Sequence, residues 1–329
     1  MSLPGVTIVI PVWNSRDLLL GLFAKLRAQT YPVAEVLAVD NGSVDGAAEA
    51  AEQQGARVLR LGSNRGFAHA VNQGAEACRT DLVALVNSDV EPEPEWLGQL
   101  VAALDSDEVW FATGKILSAS QRNRIDGTYD LLSRSGCAWR VGSGRLDGPE
   151  FSQARPIAMA PATAALFRTE LFRRVGPLDT TFESYLEDVD FGLRCALEGL
   201  RGAYVPSAVA YHWGSASLGH WSPEMVRLIA RNQVYLVAKH YPLHQFWWPI
   251  LVGQLLWGLV AMRHGRGWAF VQGKLAALTQ PHPSRSDSNP RLAKILQDGE
   301  LQIRDSQRRT GSDFYWKVYF LLTCAKWES

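Results

Sequence analysis

The sequence predicts an α/β protein built on a mostly parallel sheet flanked by helices, followed by a helical, partly apolar carboxyl-terminal extension. Four apolar runs, at 6–12, 35–39, 57–61 and 82–86, are too short for typical helices and long enough to cross a sheet. The three stretches between them repeat apolar or alanine residues at helical spacing. Neighbouring strands joined by crossover helices run parallel, so the alternation itself sets the sheet direction.

The run at 6–12 is β-branched, and Pro11 with Asn14 and Ser15 marks its exit into a turn. Leu18, Leu19, Leu22, Phe23 and Leu26 then recur as one face of a helix that Tyr31 and Pro32 close. The second strand ends in Asp40, Asn41, Gly42 and Ser43, and the alanine-rich helix after it stops at Gly55. The third exits into Gly62, Ser63, Asn64, Arg65, Gly66 and Phe67, where a helix begins that reaches Cys78. The fourth ends in Asn87, Ser88 and Asp89. Each cluster alone reads as an ordinary turn, since these residue types favour turns. Four in succession at the carboxyl ends of parallel strands fall on one sheet edge, where open α/β sheets bind ligands. A carboxylate there can hold a hard divalent cation, and the cation a diphosphate.

Beyond Asp89, residues 94–104 read as a helix with proline in its first turn, and 109–117 and 157–167 as strands. The stretch 118–155, rich in Gly, Ser, Arg and Asp, reads as loops and short antiparallel strands covering the cleft. A short helix at 170–175 stops at Gly176 and Pro177. Glu187, Asp188 and Asp190 crowd the next helix start, beside Phe191 and Leu193. The helix dipole and an Asp190 to Arg194 pair account for part of this cluster. A carboxylate drawn into a partly desolvated cleft, poised as a general base, accounts equally well for the rest. His212 ends a strand formed in two pieces, 204–206 and 209–213, and a histidine among aromatics is more often core than ligand.

The last hundred residues differ in character. A helix is expected at 224–241, a loop at 280–290 and a shorter apolar segment at 314–322. The 245–262 segment is nearly free of charge and close to spanning length, but Pro249 and two glutamines weaken a spanning assignment. Trp247, Trp248, Trp257 and Trp268, with Arg263, His264, Arg266 and Lys274 beyond, suit a bilayer interface. A buried helix, packed on the catalytic domain or in a homodimer interface, fits the same pattern.

Composition narrows the class. The 329 residues are 47% hydrophobic and 20% charged, which excludes disorder, and 33 basic residues balance 33 acidic ones, which argues against a dedicated nucleic-acid binder. Cys78, Cys137, Cys195 and Cys324 lack CxxC spacing, so neither a zinc site nor a disulfide framework is indicated and a reducing cytoplasm is the expected compartment. No secretion signal is expected from the amino-terminal residues. No GxGxxG follows the first strand and no GxxxxGK[ST] occurs, which disfavours dinucleotide and ATP enzymes.

With these residues in order, the chain over about 5–215 resembles glycosyltransferase family 2 of the GT-A fold, in its bacterial rhamnosyltransferase-like branch. The resemblance rests on Ile10-Pro11-Val12-Trp13-Asn14, on Val39 to Gly46 with Asp40 and Asn41, and on Asn64-Arg65-Gly66-Phe67 with Asn72-Gln73-Gly74. It rests further on Asn87-Ser88-Asp89, on Glu187-Asp188-Val189-Asp190 with Arg194, and on His212. It implies a nucleotide-sugar-binding catalytic domain over 1–215, and the helical patterns beyond it make 216–329 a second, helical region for membrane-surface or oligomer contact. It also implies inverting transfer of a sugar, rhamnose favoured over another hexose or an N-acetylhexosamine, from a dTDP- or UDP-linked donor. The acceptor hydroxyl would belong to a glycan or lipid-linked glycan of the bacterial surface, with the enzyme cytoplasmic or peripheral on the inner face of the plasma membrane.

By match of motif, Asp40 would bond the base, Pro11 and Asn14 would line the nucleotide pocket, and Asn64, Gly66 and Phe67 would flank it. Asn41, Asn87, Ser88 and Glu187 would complete the nucleotide-sugar site. Asp89 would coordinate Mg2+ or Mn2+ with His212 nearby, and Asp188 would be the base. The family's metal motif is commonly Asp-x-Asp, and Asn87 at its first position predicts a modest divalent-cation affinity. A non-catalytic nucleotide-sugar-binding subunit is the alternative, and retention of both Asp89 and Asp188 speaks against it.

Overall fold

The computed structural model describes residues 3–214 and 221–323. It divides into two compact units, one made of Met1–Tyr129 with Gly142–Ser217 and the other of Asp130–Val141 with Leu218–Ser329.

The first unit opens with strict alternation: β1 (Val6–Val12), α1 (Arg16–Arg27), β2 (Glu35–Asp40), α2 (Ala47–Gln53), β3 (Arg57–Arg60), α3 (Phe67–Ala77) and β4 (Leu82–Val86). β1 pairs in parallel with β2 and β4, and β2 with β3, so the order is 3-2-1-4 and all four carboxyl ends share one edge. Beyond β4 come β5 (Val90–Pro92), α4 (Trp96–Ala103), β6 (Val109–Ser118) and β7 (Ile125–Gly127). β8 (Asp130–Leu132) and β9 (Ala138–Arg140) pair with each other in the second unit, after which the first unit resumes. It continues with β10 (Arg155–Ile157), β11 (Ala164–Arg168), α5 (Glu170–Arg174), α6 (Glu187–Leu197) and β12 (Arg201–His212).

The sheet is mixed on this side. β11 lies antiparallel between β4 and β6, and β12 runs parallel to β6. Two strands differ from expectation, and proline explains both. Residues 157–167 are not one strand: the chain leaves the sheet between β10 and β11 around Pro161, which cannot donate to a ladder. The two pieces expected at 204–213 are one strand, whose register shifts between Val205 and Val209 around Pro206.

Strand alternation sorts the core. Val6, Ile8, Ile10 and Val12 of β1 meet Leu19, Leu22, Phe23 and Leu26 of α1, with Trp96, Leu97 and Leu100 of α4 on the same core. Val9 points to the other face, where α3 lies so close that a β-carbon on Gly74 would overlap its side chain. Phe172 of α5 stacks on Phe191 of α6 at 5.0 Å, and Phe167 of β11 packs edge-on against both. These contacts seat the acidic start of α6 on the sheet.

The second unit joins the β8–β9 hairpin to α7 (Pro223–His240), α8 (Leu243–Arg263), α9 (Gly267–Thr279), α10 (Arg291–Thr310) and α11 (Phe314–Thr323). Residues 130–141 were expected among the cleft-covering loops, yet buried polar bonds tie them to these helices. Arg134 donates to Glu300 at 2.7 Å, Tyr241 to the Ser133 carbonyl at 2.8 Å, and Gln254 to the Ser135 carbonyl at 3.0 Å. Glu300 also accepts from Tyr319 at 2.6 Å, so its buried carboxylate is shared by the hairpin and α11. The sequence reading did not resolve α9 and α10 as separate helices.

Candidate active site

The turns after β1, β2 and β3 are knitted into one loop cluster. Asn14, in the left-handed region at φ 49°, accepts from the Val44 amide at 2.9 Å and donates its own amide to Ser43 Oγ at 3.1 Å. Asp40, buried at the end of β2, accepts from the Ser43 amide at 3.0 Å. Asn41 spends its side chain on the next loop, donating to Asn64 Oδ1 at 3.0 Å and the Gly66 carbonyl at 3.1 Å and accepting from the Arg65 amide at 2.9 Å. Asn64 in turn accepts from the Gly66 amide at 3.0 Å. Asn41 and Asn64 therefore shape the loop that Pro11, Asn14 and Asp40 adjoin.

Gly66 starts α3 at φ 87°, and a β-carbon there would stand 3.0 Å from the Glu183 backbone. The α3 start is pinned to that segment: the Ala68 amide donates to the Glu183 carbonyl at 2.9 Å and the Phe67 amide to Ser184 Oγ at 3.3 Å. Asn72 of α3 reinforces this with a pair of bonds to the Leu178 backbone, at 2.8 and 2.9 Å. Glu183, Tyr185 and Leu186 all have positive φ, of 59°, 68° and 68°. Such backbone is costly for non-glycine residues and gathers at functional sites. Here it delivers the chain into α6, whose first residues are Glu187 and Asp188.

The three acids of α6 separate by environment. Asp190 is fully buried and bonded to Arg194 at 2.9 Å, and Arg194 caps the carbonyls of Val175 and Pro177 at 2.7 Å each. That acid is structural. Glu187 is buried, and Asp188 is half-buried, accepting from the Val189 amide at 2.9 Å and the Ala162 amide at 3.3 Å. The residue after Ala162, Thr163, accepts the Asn87 amide at 2.9 Å. One short loop thus touches both the β4 triplet and Asp188. Asn87 Oδ1 is buried with no hydrogen-bond partner.

Asp89 follows, buried with Ser88, and its Oδ1 lies 3.2 Å from His212 Nε2 at the end of β12. β5, which follows Asp89 at once, pairs with β12 in the register Val90↔His212, and this brings the two side chains together. His212 Nδ1 is held at 2.9 Å by Asp126, a residue the sequence reading missed. Burial disfavours a charged His212 imidazole, but hydrogen bonds and charge from Asp126 and Asp89 outweigh it and raise its pKa to about 9. Only the residue types were visible in sequence, because Asp126 and His212 are 86 positions apart.

The residues fit a divalent cation. Among the described residues no group of three or more His, Cys, Asp or Glu is disposed to hold an ion alone. Asp89 and, once an ion displaces its proton, His212 Nε2 offer two protein ligands, and Mg2+ is ordinarily held by one or two carboxylates plus substrate phosphates. Asp126 behind His212 is the carboxylate that typically orients a metal-binding imidazole. The buried Asn87 Oδ1, which has no hydrogen-bond partner, is a further oxygen acceptor beside them in sequence.

Residues 7–176 match the sequence model of "Glycosyl transferase family 2". A pre-mycofactocin glycosyltransferase of Mycobacterium tuberculosis is 31% identical over 234 residues, which span 70% of this chain and 46% of that protein. The chain therefore spans about half the length of that relative. An N-acetylglucosaminyl-diphospho-decaprenol L-rhamnosyltransferase of the same species is 28% identical over 268 residues, 73% of this chain and 85% of that one. Among solved structures, GalNAc-T7 with UDP, GalNAc and Mn2+ superposes with a TM-score of 0.64 at 14% identity, over 98% of this chain and 57% of that chain. A mannosyltransferase from Pyrobaculum calidifontis with GDP-Man and Mn2+ gives 0.52 at 17% identity, over 100% and 89%. These likenesses establish the GT-A fold.

Proposed function

This chain belongs to glycosyltransferase family 2, and from that premise we propose that it moves a sugar, rhamnose favoured, from a dTDP- or UDP-linked donor to an acceptor hydroxyl with inversion. The acceptor class proposed is a lipid-linked glycan or growing surface polysaccharide, worked on at the cytoplasmic face of the plasma membrane. The 28% identical relative is named for transfer of L-rhamnose to N-acetylglucosaminyl-diphospho-decaprenol, which supports the choice of sugar and of a lipid-linked acceptor.

One observation carries the chemistry: half-buried Asp188 is joined through the Ala162–Thr163 loop to Asn87, two residues from Asp89. In the proposed reaction Asp188 takes the proton of the acceptor hydroxyl as its oxygen attacks the anomeric carbon in line with the departing diphosphate. Asp89 and His212 would hold Mg2+ or Mn2+, which when bound offsets negative charge on the leaving diphosphate. Asp126 keeps the His212 ring turned so that Nε2 faces Asp89. Asp40, Asn14 and Pro11, on the cluster fixed by Asn41 and Asn64, would take the base, with Gly66 and Phe67 beside it. Ser88 and Glu187 would contact ribose or sugar hydroxyls.

A donor panel tests this reading. Nucleotide release from dTDP-rhamnose, and from UDP-linked hexoses and N-acetylhexosamines, is measured with Mn2+ and a polyprenyl diphosphate-linked N-acetylglucosamine acceptor. Turnover greatest with dTDP-rhamnose and a product of inverted anomeric configuration is the expected result. Binding of donors without release of nucleotide from any of them would leave a non-catalytic sugar-nucleotide-binding subunit instead.

A further inference from the structure

The second unit carries an apolar face that its own helices do not cover. On α8, Trp247, Trp248, Leu251, Leu255, Leu259 and Met262 are all exposed, and at 100° per residue they fall on one side of the helix. This stripe is ~22 Å long at the α-helical rise. α9 exposes Trp268, Val271, Leu275 and Leu278 in the same manner, and α11 exposes Phe314, Leu321 and Leu322. α8 packs against both α9 and α11, so the three stripes belong to neighbouring helices. A soluble helix normally turns its polar side outward, as α10 of this unit does with Arg291, Gln302, Asp305 and Arg309. α8, α9 and α11 reverse that rule.

We propose that this face is a monotopic docking surface for an anionic lipid bilayer, with α8 lying in the interface plane. The inference deepens the reading above and rests on its lipid-linked acceptor for purpose. α8 is long and apolar enough to cross a membrane, but only 39% of its apolar window is buried and its other side is committed to protein. Phe246, Pro249, Val252, Leu256 and Ala261 are buried there, and Gln254 is bonded to the Ser135 carbonyl and to Lys274. A helix packed on one side and bare and apolar on the other is the geometry of an interfacial helix. Exposed Trp247, Trp248 and Trp268 have the side chain that favours the headgroup zone.

Charge selects lipid over a second copy of the chain. α8, α9 and α11 contain no Asp or Glu, while Arg263 at the end of α8 and Lys317 on α11 are exposed. An anionic headgroup layer complements that set. A two-fold contact between copies would bring the same cations together with no carboxylate among the described residues of these three helices to meet them.

Flotation of the full chain with vesicles decides the matter. Phosphatidylcholine vesicles containing phosphatidylglycerol should carry the protein upward, and pure phosphatidylcholine should carry less. The double substitution Leu255→Glu with Leu259→Glu should weaken capture at least about tenfold, as should Trp247→Ala with Trp268→Ala. Circular dichroism and melting of both variants should match the parent, since every altered side chain is exposed. Failure of the parent to float with either vesicle overturns the proposal. So does a parent dimer in sedimentation velocity that Leu255→Glu with Leu259→Glu converts to monomer, which assigns the face to a second copy. Nucleotide release in solution reports on the transferase reading separately: vesicle capture without release removes the reaction and keeps the surface, and release without capture does the reverse.

Discussion

Asp126 Oδ2 stands 2.9 Å from Nδ1 of His212, whose other ring nitrogen faces Asp89 at 3.2 Å. The arrangement spends one face of the imidazole on orientation and leaves the other toward Asp89. Asp126→Asn keeps the size of the side chain and removes its charge, so it should weaken Mn2+ binding by about 10- to 100-fold in the presence of nucleoside diphosphate. Calorimetric titration reads the affinity, and thermal melting without metal shows whether the fold is intact. An unchanged Mn2+ affinity would remove Asp126 from the site.

Asn87 offers the sharpest test of metal dependence. Its buried Oδ1 has no hydrogen-bond partner, and it stands where the family commonly places an aspartate. Asn87→Asp should tighten Mn2+ binding by roughly tenfold, the effect of one added carboxylate near a partly solvated ion. The parent should lose activity in excess chelator and regain it on adding Mn2+. Full turnover in chelator would separate this chain from metal-dependent transfer.

For Asp188 the expected loss is kinetic. Asp188→Asn keeps one oxygen for the Val189 amide at 2.9 Å, gives up the longer 3.3 Å bond from the Ala162 amide, and cannot accept the acceptor's proton. The kcat should fall by about 10²- to 10⁴-fold, the usual worth of a general base. Donor affinity, measured by fluorescence or calorimetry, should change little. Equal loss of donor binding would instead make Asp188 a binding residue.

The opening half of the first unit was legible because each instruction there is local. β1 and β4 are buried apolar runs of strand length, and β2 and the more exposed β3 take their place from the alternation with helical patterns. Their polar exits at Asn14, Asp40, Asn64 and Asn87 then follow from parallel pairing. What escaped depends on long-range contacts. Asp126 gains meaning only from His212, and the β8–β9 hairpin joins the helical unit through Arg134 and Glu300, 166 positions apart. The left-handed turn at Glu183, Tyr185 and Leu186 escaped for another reason: none of these residue types signals positive φ. The acid cluster was half resolved by sequence, which offered a structural pair and a catalytic acid as rivals. The structure contains the pair at Asp190 and Arg194 and leaves Asp188 in a different environment.

Lys274 supplies a prediction independent of the reaction. On α9, it bridges to α7 and α8, donating to the Ala230 carbonyl at 2.8 Å, to Gln233 at 3.3 Å and to Gln254. Burial pulls its pKa down from 10.5 to about 8, against a smaller opposing pull from Cys137. Below pH 8 both the folded and unfolded chains hold the proton, and the folded state bears the full cost of a buried charge. Between pH 8 and 10.5 the unfolded chain still binds a proton that the folded chain has released, so this site's contribution to stability rises with pH. Lys274→Met removes the titration. The stability of the variant relative to the parent should therefore be highest near neutral pH and decline by about 3 kcal/mol as pH rises through that window. Urea unfolding of both proteins at several pH values measures the difference, which cancels the titration of Cys137 and the neighbouring tyrosines to first order. A difference independent of pH would mean that Lys274 keeps an ordinary amine pKa, with solvent reaching it where the fold places the Ala230 carbonyl and Gln233.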